Sequence, residues 1–249
     1  MASLDILSGG AAQGLVASLA PDFKARTGLD ITGEFGAVGA MAEKLRKGTP
    51  TDIVILTAAL VAKLAEEKLV VPASITDVGL VETALAVRKG DPLVKVRDQA
   101  ELREALLASD AIFVPDTKVS TAGIHVAKVL AQIGVADAVA ARLKIYPNGA
   151  TAMQHLAASD AKRPIGCTQS TEIIATEGVV LSGSLPVGCE LSTMYTAAVT
   201  TKAANAKQAR LLIDLLTDAD RQELRSRAGF RSAKNRQHPL PFATGGSAS

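Results

Sequence analysis

The chain has 249 residues, 48% of them apolar and only 3% aromatic with no tryptophan, and a formal charge of +2. That length holds one large domain or two lobes of about 100–150 residues each, and the apolar share suffices for a sizeable core. Near-balanced charge without a basic run in a folded segment argues against nucleic-acid binding, and two cysteines, Cys167 and Cys189, are too few for a disulfide framework or a zinc site.

Short apolar runs alternate with helical patterns along the chain. "LDILS" (Leu4–Ser8) reads as a strand, followed by "AQGLVASLAPDFKART", in which Leu15, Leu19 and Phe23 recur at helical spacing. Pro21 falls inside that pattern and predicts a kink or break. "DITGEF" (Asp30–Phe35) is the next strand. "GAVGAMAEKLRKG" is a helix closed by Gly48, and "DIVIL" (Asp52–Leu56) is a buried strand before a helix from Ala58 to Lys68. This order predicts a parallel sheet with right-handed crossovers.

A second set begins with the long strand "VETALAVRKGD". In the helix "DQAELREALLAS", Asp98 and Glu101 have the spacing of a capping box. "AIFVPD" (Ala111–Asp116) is a strand, "STAGIHVAKVLAQIGV" a helix capped by Ser120 or Thr121, "KIYP" a short strand and "NGATAMQHLAAS" a helix. "RPIGCTQS", "VVLSGSLP" and "STMYTAAVTT" read as strands, and "NAKQARLLIDLLT" and "DADRQELRSRAG" as final helices ending at Gly229. The remainder is aperiodic and has the composition of a flexible tail.

The aliphatic composition suits buried parallel strands flanked by helices, an α/β fold. Long strands near residues 80–88 and 192–200 lie where a chain would cross between two lobes and return. That predicts lobe 1 from 1–82 plus 200–230, lobe 2 from 83–199, a two-strand hinge, and a flexible tail over 231–249. Two such lobes leave a cleft, with ligands beyond the carboxyl ends of parallel strands.

On this layout five polar turns gather at the cleft: "SGGA" (Ser8–Ala11), "GAVGA" (Gly36–Ala40), "STAG" (Ser120–Gly123), "PNGATA" (Pro147–Ala152) and "CTQST" (Cys167–Thr171). Most share a strand end, small residues and a helix start, a design whose free N–H groups bind anions without Lys or Arg. Ser8, Gly9 and Gly10 are therefore candidate ligand contacts, the glycines allowing close backbone approach. Lys118 could pair with an anion or lie on the surface, and Arg163 is the next nearest cation. His125, one turn into its helix, could transfer a proton or be an ordinary half-buried residue. Cys167 could act as a thiol acid/base or pack. Tyr195, on the return strand, could reach ligand or fill the hinge, and His155 reads as structural.

There is no P-loop, dinucleotide fingerprint, HExxH or G-x-S-x-G, and no cluster of metal ligands, so no cofactor and no metal are expected. No uncharged stretch reaches the about 18–20 apolar residues of a membrane span. The N-terminus enters a strand with no charged n-region or cleavage site, which predicts a cytoplasmic protein as written, or a periplasmic one if a leader was removed.

The stretch from "ILSGGAAQGL" to "DIVIL", with "AVRKGDP", "STAGIHVAKVLAQIGV" and "LLIDLLT", resembles the type II periplasmic solute-binding proteins, specifically their molybdate-binding branch, over residues 4–230. The resemblance implies a two-lobe fold with mostly parallel sheets. It places Ser8, Val38 and Gly39, Thr121 and Ala122, and Gly149 and Ala150 at the ligand, with Thr168 and Gln169 where that branch has a tyrosine. "SGG", the "GAVG" loop, "AGIHVAKVL" and "GCTQSTEII" also look like the aconitate isomerases built on this fold. The expected function is thus binding of a small anion in the cleft, as a cofactor-independent isomerase of an unsaturated di- or tricarboxylate with His125 or Cys167 as base. The alternative is the substrate-binding protein of an ABC transporter for a molybdate-like oxyanion or organic acid, whose permease would be a partner only of an exported protein.

Overall fold

The computed structural model describes residues 3–232. In chain order its elements are β1 (Ser3–Gly9), α1 (Gln13–Thr27), β2 (Asp30–Gly36), α2 (Val38–Arg46), β3 (Ile53–Thr57), α3 (Ala58–Glu66), β4 (Thr76–Arg88), α4 (Gln99–Ala108), β5 (Ala111–Pro115), α5 (Thr121–Gln132), α6 (Ala136–Val139), β6 (Leu143–Tyr146), α7 (Gly149–Ala157), β7 (Pro164–Gln169), α8 (Ser170–Ile174), β8 (Val179–Ser184), β9 (Ser192–Val199), α9 (Ala206–Thr217) and α10 (Gln222–Arg227). The fold is α/β. Its described residues divide into two compact units, one of residues 3–81 with 193–232 and one of residues 82–192.

In the first unit the strand order is β2-β1-β3-β9-β4. β1 runs parallel to both neighbours, and β9 is antiparallel to β3. Leu4 and Ile6 of β1, Leu15, Leu19 and Phe23 of α1, and Leu212, Ile213 and Leu216 of α9 join one buried cluster. Asp52, buried just before β3, accepts hydrogen bonds from the Asp5 N–H at 3.0 Å and the Asn205 N–H at 2.7 Å, tying β1 and the approach to α9 to β3.

In the second unit the order is β8-β4-β7-β5-β6, with β5 parallel to β6 and β7 and β4 antiparallel to β7 and β8. Two clusters fill its sheet faces. Leu85, Val126, Leu130, Ile165 and Cys167 lie on one side, and Ala84, Ala86, Met153, Leu156 and Ile173 on the other.

The structure departs from the sequence expectations at four places. Pro21 lies inside an unbroken α1, on its exposed side, because the buried row Leu15–Leu19–Phe23 holds the helix on both flanks of the lost N–H. All but the first residue of β9 belongs to the first unit, where it pairs with β3, so the return lies between 192 and 193, not near 200. The Asp98 carboxylate caps α4 through the Glu101 N–H, but Glu101 reaches back to the Arg97 N–H, one residue short of a closed box. Arg231, expected to begin the tail, exchanges two backbone hydrogen bonds of 2.8 Å with Leu80. The rest of that tail, 233–249, lies outside the described residues.

Candidate functional site

In the first unit, β1 delivers Ser8 and Gly9 to a short 3-10 turn, Gly10–Ala12, that leads into α1. Ser8 is fully buried, and its hydroxyl donates to the Gly9 carbonyl at 2.9 Å. A Cβ on Gly9 would come within 2.8 Å of both Tyr195 Cε1 and Val38 Cγ1, so these residues meet at one spot and only glycine fits there. Tyr195 is held opposite Thr57 in the β3–β9 ladder and lies edge-on to Phe230. Gly10 is buried, and Gly39 lies half-buried in the first turn of α2. Neither the Gly10 turn nor α2 has a side-chain cap, which leaves first-turn N–H groups as donors.

In the second unit the end of β7 sends side chains to both faces of the sheet, because alternate residues of a strand point opposite ways. Thr168 and Gln169 are both buried. On one face, the Thr168 hydroxyl donates to the Glu172 Oε2 at 2.6 Å. A Cβ on Gly149 would fall 2.1 Å from Thr168 Oγ1 and 1.9 Å from Glu172 Oε2, so the α7 start is packed directly on this pair. The backbone N–H groups of Gln169, Gly149 and Ala150 also favour the charged form of the Glu172 carboxyl. Asn148 accepts from the Thr151 N–H at 2.8 Å with its side chain and from the Ala152 N–H at 3.1 Å with its carbonyl. The start of α7 thus carries a side-chain cap from the protein itself. Burial pushes the Glu172 carboxyl up from the ordinary carboxylate range, opposed by the hydrogen bonds from Thr168, Gln169, Gly149 and Ala150.

On the other face, Gln169 stands opposite Thr83 of β4, one pleat beyond the Leu85–Cys167 pair that packs under Val126 and Leu130 of α5. The amide oxygen and nitrogen of Gln169 and the hydroxyl of Thr83 are buried and make no hydrogen bond within the protein. The hydroxyls of Ser170 and Thr171 share that property. Such groups cost about 1–3 kcal/mol each when left unpaired. α5 starts at the same end of the sheet, its Gly123 pressed against the carbonyls of Pro115 and Asp116. Its N-cap Ser120 makes no side-chain bond to the helix, unlike Asp98 of α4 and Asn148 of α7. The first-turn N–H groups at Thr121 and Ala122 are thus left without a side-chain cap.

The remaining expected residues lie elsewhere or are otherwise occupied. Lys118 is exposed, with its backbone N–H donating to the Asp116 carboxylate at 2.7 Å, and Arg163 is exposed as well. His125 is half-buried, its Nε2–H donating to the Cys189 carbonyl at 2.8 Å, so it fastens the 185–191 loop to α5. Cys167 is corrected from a candidate base to a packing residue. Its thiol lies among Leu85, Val126 and Ile165, and burial pushes it up to about 12. Both cysteines are buried, so a thiol reagent at mildly alkaline pH is expected to label neither in native protein and both after unfolding. Rapid native labelling at Cys167 would restore it as a reactive group. Glu172 and Thr83 went unnoticed in the sequence. The available signal was an acid four residues after Thr168, in "CTQSTE", near a glycine helix start in need of an acceptor.

The chain matches the family of bacterial extracellular solute-binding proteins over residues 4–231. It is 24% identical over 229 residues to an aconitate isomerase from Pseudomonas sp, covering 88% of this chain and 83% of that one. Its fold is similar to that of the periplasmic molybdate-binding protein of Azotobacter vinelandii, with TM-score 0.76 and 17% identity over 92% of this chain and 99% of that one. It is also similar to that of the sulfate-binding protein SubI from Mycobacterium tuberculosis H37Rv, with TM-score 0.72 and 19% identity over 94% and 88%. With a match running from β1 to the end of the described fold, the chain belongs to the bacterial extracellular solute-binding protein family.

Proposed function

We propose that this protein binds a compact oxyanion as the solute receptor of an ABC transporter. The observation that carries the reading is the uncapped start of α5 at the same end of the sheet as the buried, unpartnered amide of Gln169. Anion recognition by backbone N–H groups and neutral side chains needs no cation, which agrees with the exposed positions of Lys118 and Arg163. Thr121 and Ala122 supply donors from α5, and Gln169 and Thr83 supply neutral polar groups that orient the ligand. The extracellular family supports export to the periplasm, and the cytoplasmic expectation finds no support there. A transporter permease is the partner this role requires.

Isothermal titration with sulfate, molybdate and phosphate tests the reading. One of them is expected to bind at micromolar or tighter concentration, and Gln169→Ala to weaken it about tenfold or more through loss of its buried hydrogen bonds. Absence of binding across the panel would overturn it.

A second reading, an isomerase acting on an unsaturated tricarboxylate, is favoured by the similarity to aconitate isomerase along most of the chain. It lacks a ready base, because Cys167 is buried in the core and His125 holds the Cys189 carbonyl. Proton NMR in D₂O with cis- and trans-aconitate decides it: interconversion or deuterium uptake establishes the enzyme, and unchanged spectra remove it.

A further inference from the structure

Among the described residues, buried side-chain polar atoms without a hydrogen-bond partner gather at one place. They are the Thr83 hydroxyl and both amide atoms of Gln169, with the Ser170 and Thr171 hydroxyls next in the chain; Thr193, at the start of β9, carries the remaining one. Gln169 and Thr83 are 3% and 1% exposed and stand directly opposite each other in the β7–β4 ladder, so their side chains share one face of the sheet. The next pair inward on that face, Cys167 and Leu85, is apolar and lies in one cluster with Val126 and Leu130 of α5. The polar pair therefore stands where the apolar face ends, at the end of the sheet from which α5 starts. Both acids at this end have partners of their own. Asp116 turns its carboxylate onto the N–H groups of Lys118 and Val119 at 2.7 and 3.0 Å, and Glu82 accepts from Ser184.

A glutamine amide has two distinct ends: its nitrogen donates and its oxygen only accepts. With both ends buried and unpartnered, a ligand that satisfies Gln169 has to accept from one and donate to the other, whichever way the amide is turned. Fully deprotonated sulfate or molybdate can only accept, and would leave the Gln169 oxygen unpaired. We propose that the ligand is an oxyanion that carries a proton, of the hydrogen phosphate class, donating its O–H to Gln169 Oε1 and accepting from Gln169 Nε2 with an anionic oxygen. The inference rests on the anion-binding reading above and narrows it to one ligand class. Thr83, whose hydroxyl both donates and accepts, pairs with the ligand oxygen beside it.

The test titrates the full-length protein with phosphate, sulfate and molybdate at about pH 8, where inorganic phosphate is mostly the dianion. Phosphate and sulfate then match in shape and charge and differ by one proton. Phosphate is expected to bind about tenfold or more tightly than sulfate, the effect of one buried acceptor left unpaired. Gln169→Met keeps the unbranched shape of the side chain and removes both polar atoms. It is expected to weaken phosphate about tenfold or more and to change sulfate little, bringing the ratio of their dissociation constants close to one. Because neither amide atom is bonded within the protein, the ligand-free variant should melt at or above the wild-type temperature. A lower melting temperature or a failure to fold would assign the amide to the fold and overturn the proposal, as would a folded variant that keeps the preference for phosphate. Sulfate or molybdate binding wild-type protein as tightly as phosphate overturns it too, while leaving the anion-binding reading in place. Binding of none of the three refutes both.

Discussion

Replacing Gly149 by alanine is expected to destabilise the second unit by about 3 kcal/mol or more, although the substitution adds a better helix former. The new Cβ would lie 1.9 Å from Glu172 Oε2, 2.5 Å from its Cδ and 2.1 Å from Thr168 Oγ1. None of these atoms is the free end of a side chain that could swing into solvent, since Glu172 and Thr168 are buried and bonded to each other. Either the carboxylate leaves its bond to Thr168 or α7 moves away from β7. Each buried donor left alone costs about 1–3 kcal/mol, which exceeds the gain of about 1 kcal/mol in helix propensity. Urea unfolding of Gly149→Ala measures the loss. The double variant with Glu172→Ala removes the obstructing carboxylate, so it should be clearly less destabilised than the sum of the two single changes. Strict additivity would show that the clash is relieved elsewhere.

Gly123→Ala is expected to combine a loss of about 2 kcal/mol or more in stability with a fall of about tenfold or more in anion affinity. A Cβ at this position would lie 2.1 Å from the Asp116 carbonyl oxygen and 2.5 Å from that of Pro115. Both belong to the main chain at the end of β5, which is fixed between β6 and β7 and cannot yield. The first turn of α5 must therefore lift, carrying the Thr121 and Ala122 N–H groups away from Gln169. Ile124, the next residue and 49% exposed, provides the control, since Ile124→Ala removes little packing and should stay within about 0.5 kcal/mol of wild type. Denaturant unfolding and a titration with the anion that binds wild-type protein check both halves. An unfolding loss with undiminished affinity would place the ligand away from α5.

Much of the architecture was legible along the chain. The β1–α1–β2–α2–β3 succession could be read from apolar runs and helical spacing because each element carries its own pattern. Helix ends at Gly48 and Gly229 were local too, both at positive φ where glycine avoids the strain of a side chain. Pro21 misled because its cost is local while the packing that overrides it is not. Ser8 and Gly9 stood out as small residues between a strand and a helix, Val38 came from the family resemblance, and the structure brings Gly9 and Val38 together with Tyr195 from a strand far along the chain.

By itself, then, the sequence determined the α/β class, the order of its strands and helices and the small-residue turns at their junctions, since each of these is set by periodicity and turn chemistry within about ten residues. Only the tertiary structure decided which of those turns remains a donor site. Glu172 reaches the α7 start from a different helix, and Cys189 holds His125 across 64 residues of chain. Cys167 owes its raised thiol to apolar neighbours from β4 and α5. Two helix starts that look alike as sequence differ in the fold, one packed on the protein's own carboxylate and one without a side-chain cap, because side chains distant in sequence settle what each backbone donor meets.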